Sequence, residues 1–267
     1  MFTIDIDPVA FSIGSIGVRW YGIMVALAVI TLLGVTLREA KRPGISQDTI
    51  YSSFLWGIIG GFIGARLVVV QWSHYIAYPK DILNFVGFPA FSLYGAIIGA
   101  LVAVWVYTRV KRITFGSLIG MLDAVAVGAP LAQAIGRIGC TINGCCHGTS
   151  TSLPWAVIYT NPYSACGLRG IPLHPTQVYF LLWNLIVFAV VWHLRAKLKP
   201  QGSLFSLYLC LYAAGDFGLR FLRYVNKPFL FGLHQGQVIS LAILAVVLPL
   251  FILRMRRATQ MGRNQEG

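Results

Sequence analysis

Charge is scarce in this sequence. Only 11% of the 267 residues are charged, whereas a typical soluble domain carries about 25%. Hydrophobic residues make up 57% of the chain, so it lacks the polar side chains that cover a water-exposed surface. This shortage excludes an ordinary soluble protein and indicates a surface that faces lipid.

Acidic residues are scarcer still. The chain has 8 Asp and Glu against 21 Lys and Arg, which gives a net charge of +13. In a soluble protein that balance would suggest a nucleic-acid partner. Here the basic residues lie mostly in short stretches between apolar runs, so we expect no nucleic acid. A basic segment before the first run is also absent, because Asp5 and Asp7 stand there, and we expect no removable signal peptide.

Long apolar runs are abundant. Seven of them reach the length needed to cross a bilayer, which is about 20 residues. They cover residues 16–37, 49–72, 88–108, 116–137, 176–194, 202–222 and 236–253. The sequence therefore predicts an all-α fold, a polytopic transmembrane helical bundle of about seven spans that forms a single integral-membrane domain over residues 1–267.

The basic residues predict how this bundle is oriented. Three of the stretches between the runs carry three Lys or Arg each, and the tail at 254–267 carries four. Because positive loops stay in the cytoplasm, we expect the N-terminus outside and the short tail inside. The longest loop, 138–175, then lies outside, and a loop of this length is typically functional or disordered.

Small residues recur at four-residue spacing in the second and third runs. The pairs are Gly57 and Gly61, Gly60 and Gly64, and Gly95 and Gly99. Such spacing is typical of helices that pack closely in a membrane.

Several arginines lie inside or at the ends of the apolar runs, where charge is costly and usually functional. Four of them fall in the outer half of the predicted bundle: Arg19, Arg66, Arg137 and Arg220. Asp216 stands four residues before Arg220, a spacing at which the two can pair on a helix. Guanidinium groups bind phosphate through paired hydrogen bonds, so these residues predict an anion site. The alternative is that each arginine only extends to the headgroups.

An ordered set of short motifs accompanies these arginines. They are RWYG at 19–22, GARL at 64–67, GRIGCTING at 136–144, LPWAV at 153–157, HPTQVY at 174–179, Arg220, Arg223 and the pair Gly236 and Gln237. Together they resemble the bacterial prolipoprotein diacylglyceryl transferases over nearly the whole chain. The resemblance implies a multi-pass enzyme of the bacterial inner membrane that acts in lipoprotein biogenesis.

The resemblance also implies a reaction. The cysteine thiol of a prolipoprotein lipobox peptide attacks the glyceryl carbon of phosphatidylglycerol, and glycerol phosphate departs. Arg137 and Arg220 match the arginines that neutralise the leaving phosphate, and His174 is a possible proton acceptor. Tyr94 stands where many members of the family have a third-span histidine, and it is expected to position the lipid.

Other residues match positions that contact substrate. These are Tyr21, Arg66, Asn143 and Gln177. The chain departs from the family pattern at four places, where it has Tyr94, Cys140, Cys145 and Phe180. We expect the substrates and the surrounding membrane lipids as partners and no cofactor. Two alternatives are a divergent member that binds or transports lipid without chemistry and a thiol-redox membrane protein.

Four of the five cysteines fall in or beside the predicted outer loop. An oxidising outer compartment favours a disulfide, from Cys145 or Cys146 to Cys166. The other interpretations are free or structural thiols and a metal or redox-active site, for which Cys145, Cys146, His147 and Cys166 are weak candidates because Cys and His are zinc ligands. Cys210 lies within the sixth run and is expected to be a packing residue.

Overall fold

The computed structural model describes residues 1–14, 16–42, 44–67, 93–224 and 229–266. Within these ranges the chain is mostly helical, in agreement with the predicted fold class. The helices are α1 (Trp20–Ala40), α2 (Gln47–Leu67), α3 (Leu93–Val110), α4 (Phe115–Asn143), α5 (Thr176–Leu194), α6 (Ser203–Leu219) and α7 (Gln235–Glu266). The strands are β1 (Phe2–Ile4), β2 (Val9–Ile13), β3 (Ile16–Arg19) and β4 (Val157–Tyr159).

Five of these helices are long and apolar enough to cross a membrane, namely α1, α2, α4, α5 and α7. The chain is therefore a polytopic helical membrane protein. Helices α3 and α6 are not among the five, so the count of seven spans stays a prediction, as does the orientation. α5 begins and ends where the sequence predicts.

The first predicted run begins too early. Residues 16–19 form β3, which pairs antiparallel with β2 through Val9↔Arg19 and Ile13↔Ile16. Gly14 adopts a left-handed φ of 59° at the turn between the two strands, which lets the chain fold back on itself. The helix therefore begins only at Trp20, and Arg19 lies at the end of a strand.

The fourth run was predicted to end too early. α4 continues through the GRIGCTIN segment to Asn143, and Gly144 then takes a left-handed φ of 76°, a conformation that ends helices. The loop predicted at 138–175 thus begins at residue 144. At the C-terminus, α7 extends through the predicted tail to Glu266. The predicted boundaries at 72 and 88 lie outside the described residues.

The described residues form two compact units, one of residues 1–39 with 122–267 and one of residues 40–121. The single-domain prediction for 1–267 stays a prediction. In the first unit α4, α5 and α6 share a core of Val127, Val187, Val191, Leu204 and Tyr208. In the same unit β1 pairs in parallel with β4, so that the N-terminus is hydrogen-bonded to the long loop.

Asp123 has a structural part in this unit. Its carboxylate accepts hydrogen bonds from the backbone N–H groups of Gly202, at 2.6 Å, and Phe205, at 2.8 Å. Backbone N–H groups at the start of a helix have no partner within the helix, and a carboxylate there also faces the positive end of the helix dipole. Asp123 of α4 thus caps α6.

The glycine pattern explains the packing of the second unit. A Cβ atom added to Gly60 of α2 would lie 2.5 Å from the carbonyl oxygen of Gly99 in α3, and one added to Gly64 would overlap the Gly95 carbonyl. Real Cβ atoms do not approach so closely. The predicted close helix packing is confirmed for α2 and α3.

We expect Gly60→Ala to lower the free energy of unfolding by about 1–3 kcal/mol, the usual cost of overpacking. Gly57→Ala, one turn earlier on the same helix, is the matched control, because its Cβ would meet only Val104 Cγ2 at 3.4 Å. Both changes alter helix propensity equally. Thermal unfolding of the detergent-purified proteins measures the difference, and equal midpoints for the two variants would contradict close packing.

Candidate functional site

Arg220 follows the last turn of α6 and is held by a buried carboxylate. Its Nε donates to Asp216 Oδ2 at 2.5 Å, and Ser240 Oγ of α7 donates to the same oxygen at 2.9 Å. The predicted i,i+4 pair is therefore confirmed. On its other side the Arg220 guanidinium lies against Gly236, where an added Cβ would overlap it. The carboxylate and the missing side chain at Gly236 together fix where the Arg220 charge is placed.

The residues beside Gly236 hold the start of α7 against α6. Gln237 Nε2 donates to the Phe217 carbonyl at 3.2 Å, and Gln237 Oε1 accepts from the His234 N–H at 2.9 Å. Burial, with the nearby charges of Arg220 and Arg223, lowers the pKa of His234. Its imidazole is accordingly neutral at pH 7, and its buried Nδ1 finds no hydrogen-bond partner among the described residues.

Arg223 connects the end of α6 to the loop after α4. Its Nη2 donates to Cys146 Sγ at 3.1 Å, and its backbone bridges to Gly148. The next residue, Tyr224, donates its N–H to the His147 carbonyl and stacks on the His147 ring with centroids 5.5 Å apart. The sequence indicated Arg223 only as part of the family pattern and gave it no separate role.

Arg137 lies on α4 nearly two turns before the helix ends at Asn143. Its guanidinium carbon is 4.4 Å from the centroid of the Phe180 ring on α5, a cation–π distance. The position at which the family pattern has a glutamate thus supplies an aromatic face to this arginine. Tyr21 of α1 lies close enough for the Arg137 charge to act on its hydroxyl, because α1 and α4 approach each other at Gly139, where an added Cβ would be 3.2 Å from the Tyr21 Cα.

Three arginines, Arg137, Arg220 and Arg223, act on shared neighbours. The charges of Arg223 and Arg137 both reach Cys146, and those of Arg220 and Arg223 both reach His234. Arg220 pairs with Asp216, whereas Arg137 and Arg223 form no salt bridge with any carboxylate of the described chain. The region therefore carries excess positive charge, which suits an anionic ligand.

The thiols of Cys140, Cys145 and Cys146 lie together. All three sulfur atoms are within 4.8 Å of one another. Hydrogen bonds from the Cys140 and Cys145 thiols, with the charges of Arg223 and Arg137, lower the pKa of Cys146 against the effect of burial. The hydrogen bond with Cys140 lowers the pKa of Cys145, but the hydrogen bond with Cys146, burial and the Cys146 charge together outweigh it, so the pKa of Cys145 is raised.

The remaining cysteine expectations are only partly met. All five thiols are free, so the disulfide from Cys145 or Cys146 to Cys166 is not formed. Cys166 is instead buried with Val157, Tyr159 and Leu173, and His147 directs Nδ1 to the Gly148 carbonyl at 3.1 Å. Two of the four weak metal candidates, Cys145 and Cys146, lie in the thiol cluster, and the third thiol of that cluster belongs to Cys140. Cys210 is buried in α6, as expected of a packing residue.

His174 stands just before α5. Its Nδ1 is 3.4 Å from the Tyr179 hydroxyl, which accepts from Trp155 Nε1 at 2.8 Å. His174 is only partly buried, so its ring is accessible to a proton donor. Gln177 is buried and donates through Nε2 to the Cys145 carbonyl at 2.8 Å and the Tyr159 hydroxyl at 3.2 Å. Its side-chain amide thus supports the loop, and a contact with lipid stays a prediction.

Asn143 ends α4 with a buried Oδ1 that has no hydrogen-bond partner in the described residues, and the same is true of Arg223 Nε. Buried polar atoms are rarely left unsatisfied without a ligand or water.

Two predicted site residues belong to the other unit, namely Arg66, in the last turn of α2, and Tyr94, in the first turn of α3. The Tyr94 side chain lies outside the described part of the chain, and the roles of both residues stay predictions.

Known proteins resemble this chain over almost its full length. A family model described as prolipoprotein diacylglyceryl transferase matches residues 8–253. A protein of Dehalococcoides mccartyi is 42% identical over 99% of the chain and 100% of its own length. Proteins of Clostridioides difficile and Clostridium tetani are 37% and 34% identical, over 88% and 94% of the chain and 90% and 98% of their own lengths. All three relatives are named phosphatidylglycerol–prolipoprotein diacylglyceryl transferase.

Asp216→Asn tests how firmly Arg220 is held. Removing one charge of a buried pair typically costs about 3–5 kcal/mol, so we expect a clear loss of stability in thermal unfolding. Ser240→Ala, which removes only the second hydrogen bond to the same oxygen, should cost about 0.5–1.5 kcal/mol. If the unfolding temperature of Asp216→Asn is no lower than that of Ser240→Ala, the ion pair does not stabilise this end of the bundle.

Proposed function

The chain belongs to the prolipoprotein diacylglyceryl transferase family, and we propose that it moves a diacylglyceryl group from phosphatidylglycerol to the cysteine thiol of a prolipoprotein lipobox. It is a multi-pass membrane transferase of lipoprotein biogenesis. The names of its relatives supply the two substrates, and the excess positive charge of the Arg137, Arg220 and Arg223 region is the observation that carries the proposal.

In this reaction the thiolate sulfur attacks the glyceryl carbon that bears the phosphate. The carbon–oxygen bond breaks, and glycerol phosphate leaves with the electron pair. Charge therefore develops on a phosphate oxygen, and a preorganised cation beside that oxygen lowers the barrier. Arg220 suits this task because Asp216 and Gly236 fix its guanidinium before substrate arrives.

Arg137 is the second arginine that contacts the phosphate in this scheme. Its contact with Phe180 holds the guanidinium without neutralising it, because an aromatic face carries no net charge. Asn143 and Tyr21 lie on the neighbouring helices α4 and α1 and bind the headgroup, with Gln177 as a further contact. For Arg66, a role in binding lipid is proposed from the family resemblance alone. The unsatisfied Oδ1 of Asn143 is a ready acceptor for a glycerol hydroxyl.

His174 accepts the thiol proton in this scheme, and Tyr94 positions the lipid through its hydroxyl. Histidine is the side chain most often used as a general base in enzymes. The arginines stand in the outer half of the predicted bundle, so the lipid comes from the outer leaflet of the inner membrane, with the N-terminus outside and the tail in the cytoplasm.

Arg137→Ala and Arg220→Ala should each lower transfer by about 100- to 1000-fold, as expected when a donor aimed at developing charge is removed. Arg→Lys at either position should restore little, because Lys lacks the planar fork. Release of glycerol phosphate from phosphatidylglycerol, with a lipobox peptide and purified protein, is the measurement. Wild-type protein that binds the lipid and releases no glycerol phosphate would instead be the lipid-binding alternative.

Gly236→Ala probes the placement of Arg220 separately from its charge. The three atoms nearest the new Cβ all belong to the guanidinium end of the flexible Arg220 side chain. We therefore expect the protein to stay folded while Arg220 is displaced and transfer falls about tenfold or more. Gly218→Ala on α6 is the matched control, because its Cβ would meet nothing within 4 Å. Unchanged turnover in Gly236→Ala would mean that the observed guanidinium position is not the active one.

A further inference from the structure

The cluster of Cys140, Cys145 and Cys146 has the dimensions of a metal site. Their sulfur atoms lie within 4.8 Å of one another. A zinc ion about 2.3 Å from each of three sulfurs holds them about 4 Å apart, so small side-chain rotations are enough to close the cluster on one cation. We propose that this thiol triad binds one thiophilic d10 cation, Zn²⁺ or Cu⁺, and that the cation's remaining coordination position receives the acceptor thiol.

The backbone around the triad is built to bring the three sulfurs together. Cys140 lies in the last turn of α4, and the chain reverses through Gly144, at φ 76°, and Cys146, at φ 61°. A left-handed φ is uncommon for a residue other than glycine and persists only where surrounding contacts enforce it. This reversal turns Cys145 and Cys146 back toward the helix that carries Cys140.

Those enforcing contacts come from the first turn of α5. Thr176 Oγ1 donates to the Cys146 carbonyl at 2.7 Å, and Gln177 Nε2 donates to the Cys145 carbonyl at 2.8 Å. Both side chains are almost completely buried. The two cysteines are therefore fixed before any ligand binds, and a preorganised set of donors binds a cation with little loss of conformational entropy.

The surrounding charge favours the thiolate forms that a metal needs. Arg223 Nη2 donates to Cys146 Sγ at 3.1 Å, and the Arg137 charge also acts on that sulfur. Three thiolates around Zn²⁺ carry one net negative charge, and around Cu⁺ two. One or both arginines can balance that charge from the surrounding shell, where hydrogen-bonding groups tune metal affinity.

Three sulfurs fit a cation better than they fit a disulfide. A disulfide brings two sulfurs to about 2.05 Å and leaves the third unused beside it. Soft cations such as Zn²⁺ and Cu⁺ select thiolate ligands, and a cation uses every member of the triad. The nearest histidine in sequence, His147, is engaged with Gly148 and Tyr224, so among the described residues the triad has no fourth His, Cys, Asp or Glu ligand.

A zinc site with three protein ligands keeps its fourth position for water or substrate. This part of the inference rests on the proposed function, in which the substrate is itself a thiol. A thiol that coordinates such a cation loses its proton outright. With a cation bound, the thiol proton would pass to His174, the sulfur would form its bond to the glyceryl carbon, and the electron pair of the broken carbon–oxygen bond would leave with the phosphate.

Metal content tests the site without reference to turnover. Purified protein is incubated under a thiol-free reductant with Zn²⁺ alone or with Cu⁺ alone, dialysed, and analysed for bound metal. We expect one equivalent of one of the two cations in wild type and in Cys210→Ser, whose thiol is buried elsewhere in α6. Cys140→Ser, Cys145→Ser and Cys146→Ser should each lower the affinity about 100-fold or more. Three free titratable thiols with neither metal retained, or a reductant-reversible disulfide within the triad, would overturn the proposal.

Co²⁺ in place of Zn²⁺ tests the open position by absorption spectroscopy. A lipobox peptide with its cysteine should strengthen the sulfur-to-metal charge-transfer band, whereas the same peptide with serine should leave it unchanged. Identical spectra with both peptides would overturn the role of the cation in binding the acceptor. Glycerol phosphate release is measured in parallel. Transfer by metal-free protein refutes the role of the cation in binding the acceptor and leaves the proposed function intact, and a bound cation without transfer refutes the proposed function alone.

Discussion

Two hydrogen bonds between the start of α5 and the loop after α4 determine where the chemically active residues lie. Thr176 and Gln177 donate to the carbonyls of Cys146 and Cys145, and the Tyr159 hydroxyl donates to the Thr141 carbonyl inside the last turn of α4. The bonds from Thr176 and Gln177 join residues that are 30 and 32 positions apart in sequence. Without them the loop would be free to leave α4, and Arg223 would lose the sulfur to which it donates.

Three acidic residues of this unit make structural contacts, and within the described residues Arg137 and Arg223 have no carboxylate partner. Asp123 caps α6, Asp216 holds Arg220, and Glu39 pairs with Arg195 at 3.4 Å. Burying a charge without a partner in an apolar bundle is expensive, and each of these carboxylates has its partner. The positive charge at Arg137 and Arg223 has no such carboxylate within the described residues, which is why we propose an anionic headgroup as the ligand of this region.

Sequence patterns predicted the elements that depend on local periodicity and missed those that depend on contacts between distant segments. α5, the glycine packing of α2 with α3, and the pair of Asp216 with Arg220 all follow from spacing along one helix. The strand β3 was missed because hydropathy does not distinguish an apolar strand from the start of a span.

The thiol triad was missed for a similar reason. Placing the end of α4 at residue 137 put Cys140 in the loop, whereas the helix continues to Asn143 and a left-handed turn brings Cys145 and Cys146 back toward Cys140. Contacts from α5 enforce the conformation of this turn, and apart from Gly144 the residues of the turn do not predict it. The departures from the family pattern also have a common consequence. Phe180 replaces a carboxylate beside Arg137, and a cation–π contact of about 0.5–2 kcal/mol holds the guanidinium while leaving its charge intact. Cys140 and Cys145 place thiols where the pattern has polar or acidic side chains. The site thus loses fixed negative charge near Arg137, for which we propose phosphate binding, and it acquires thiols whose negative charge arises only when a cation or Arg223 stabilises the thiolate.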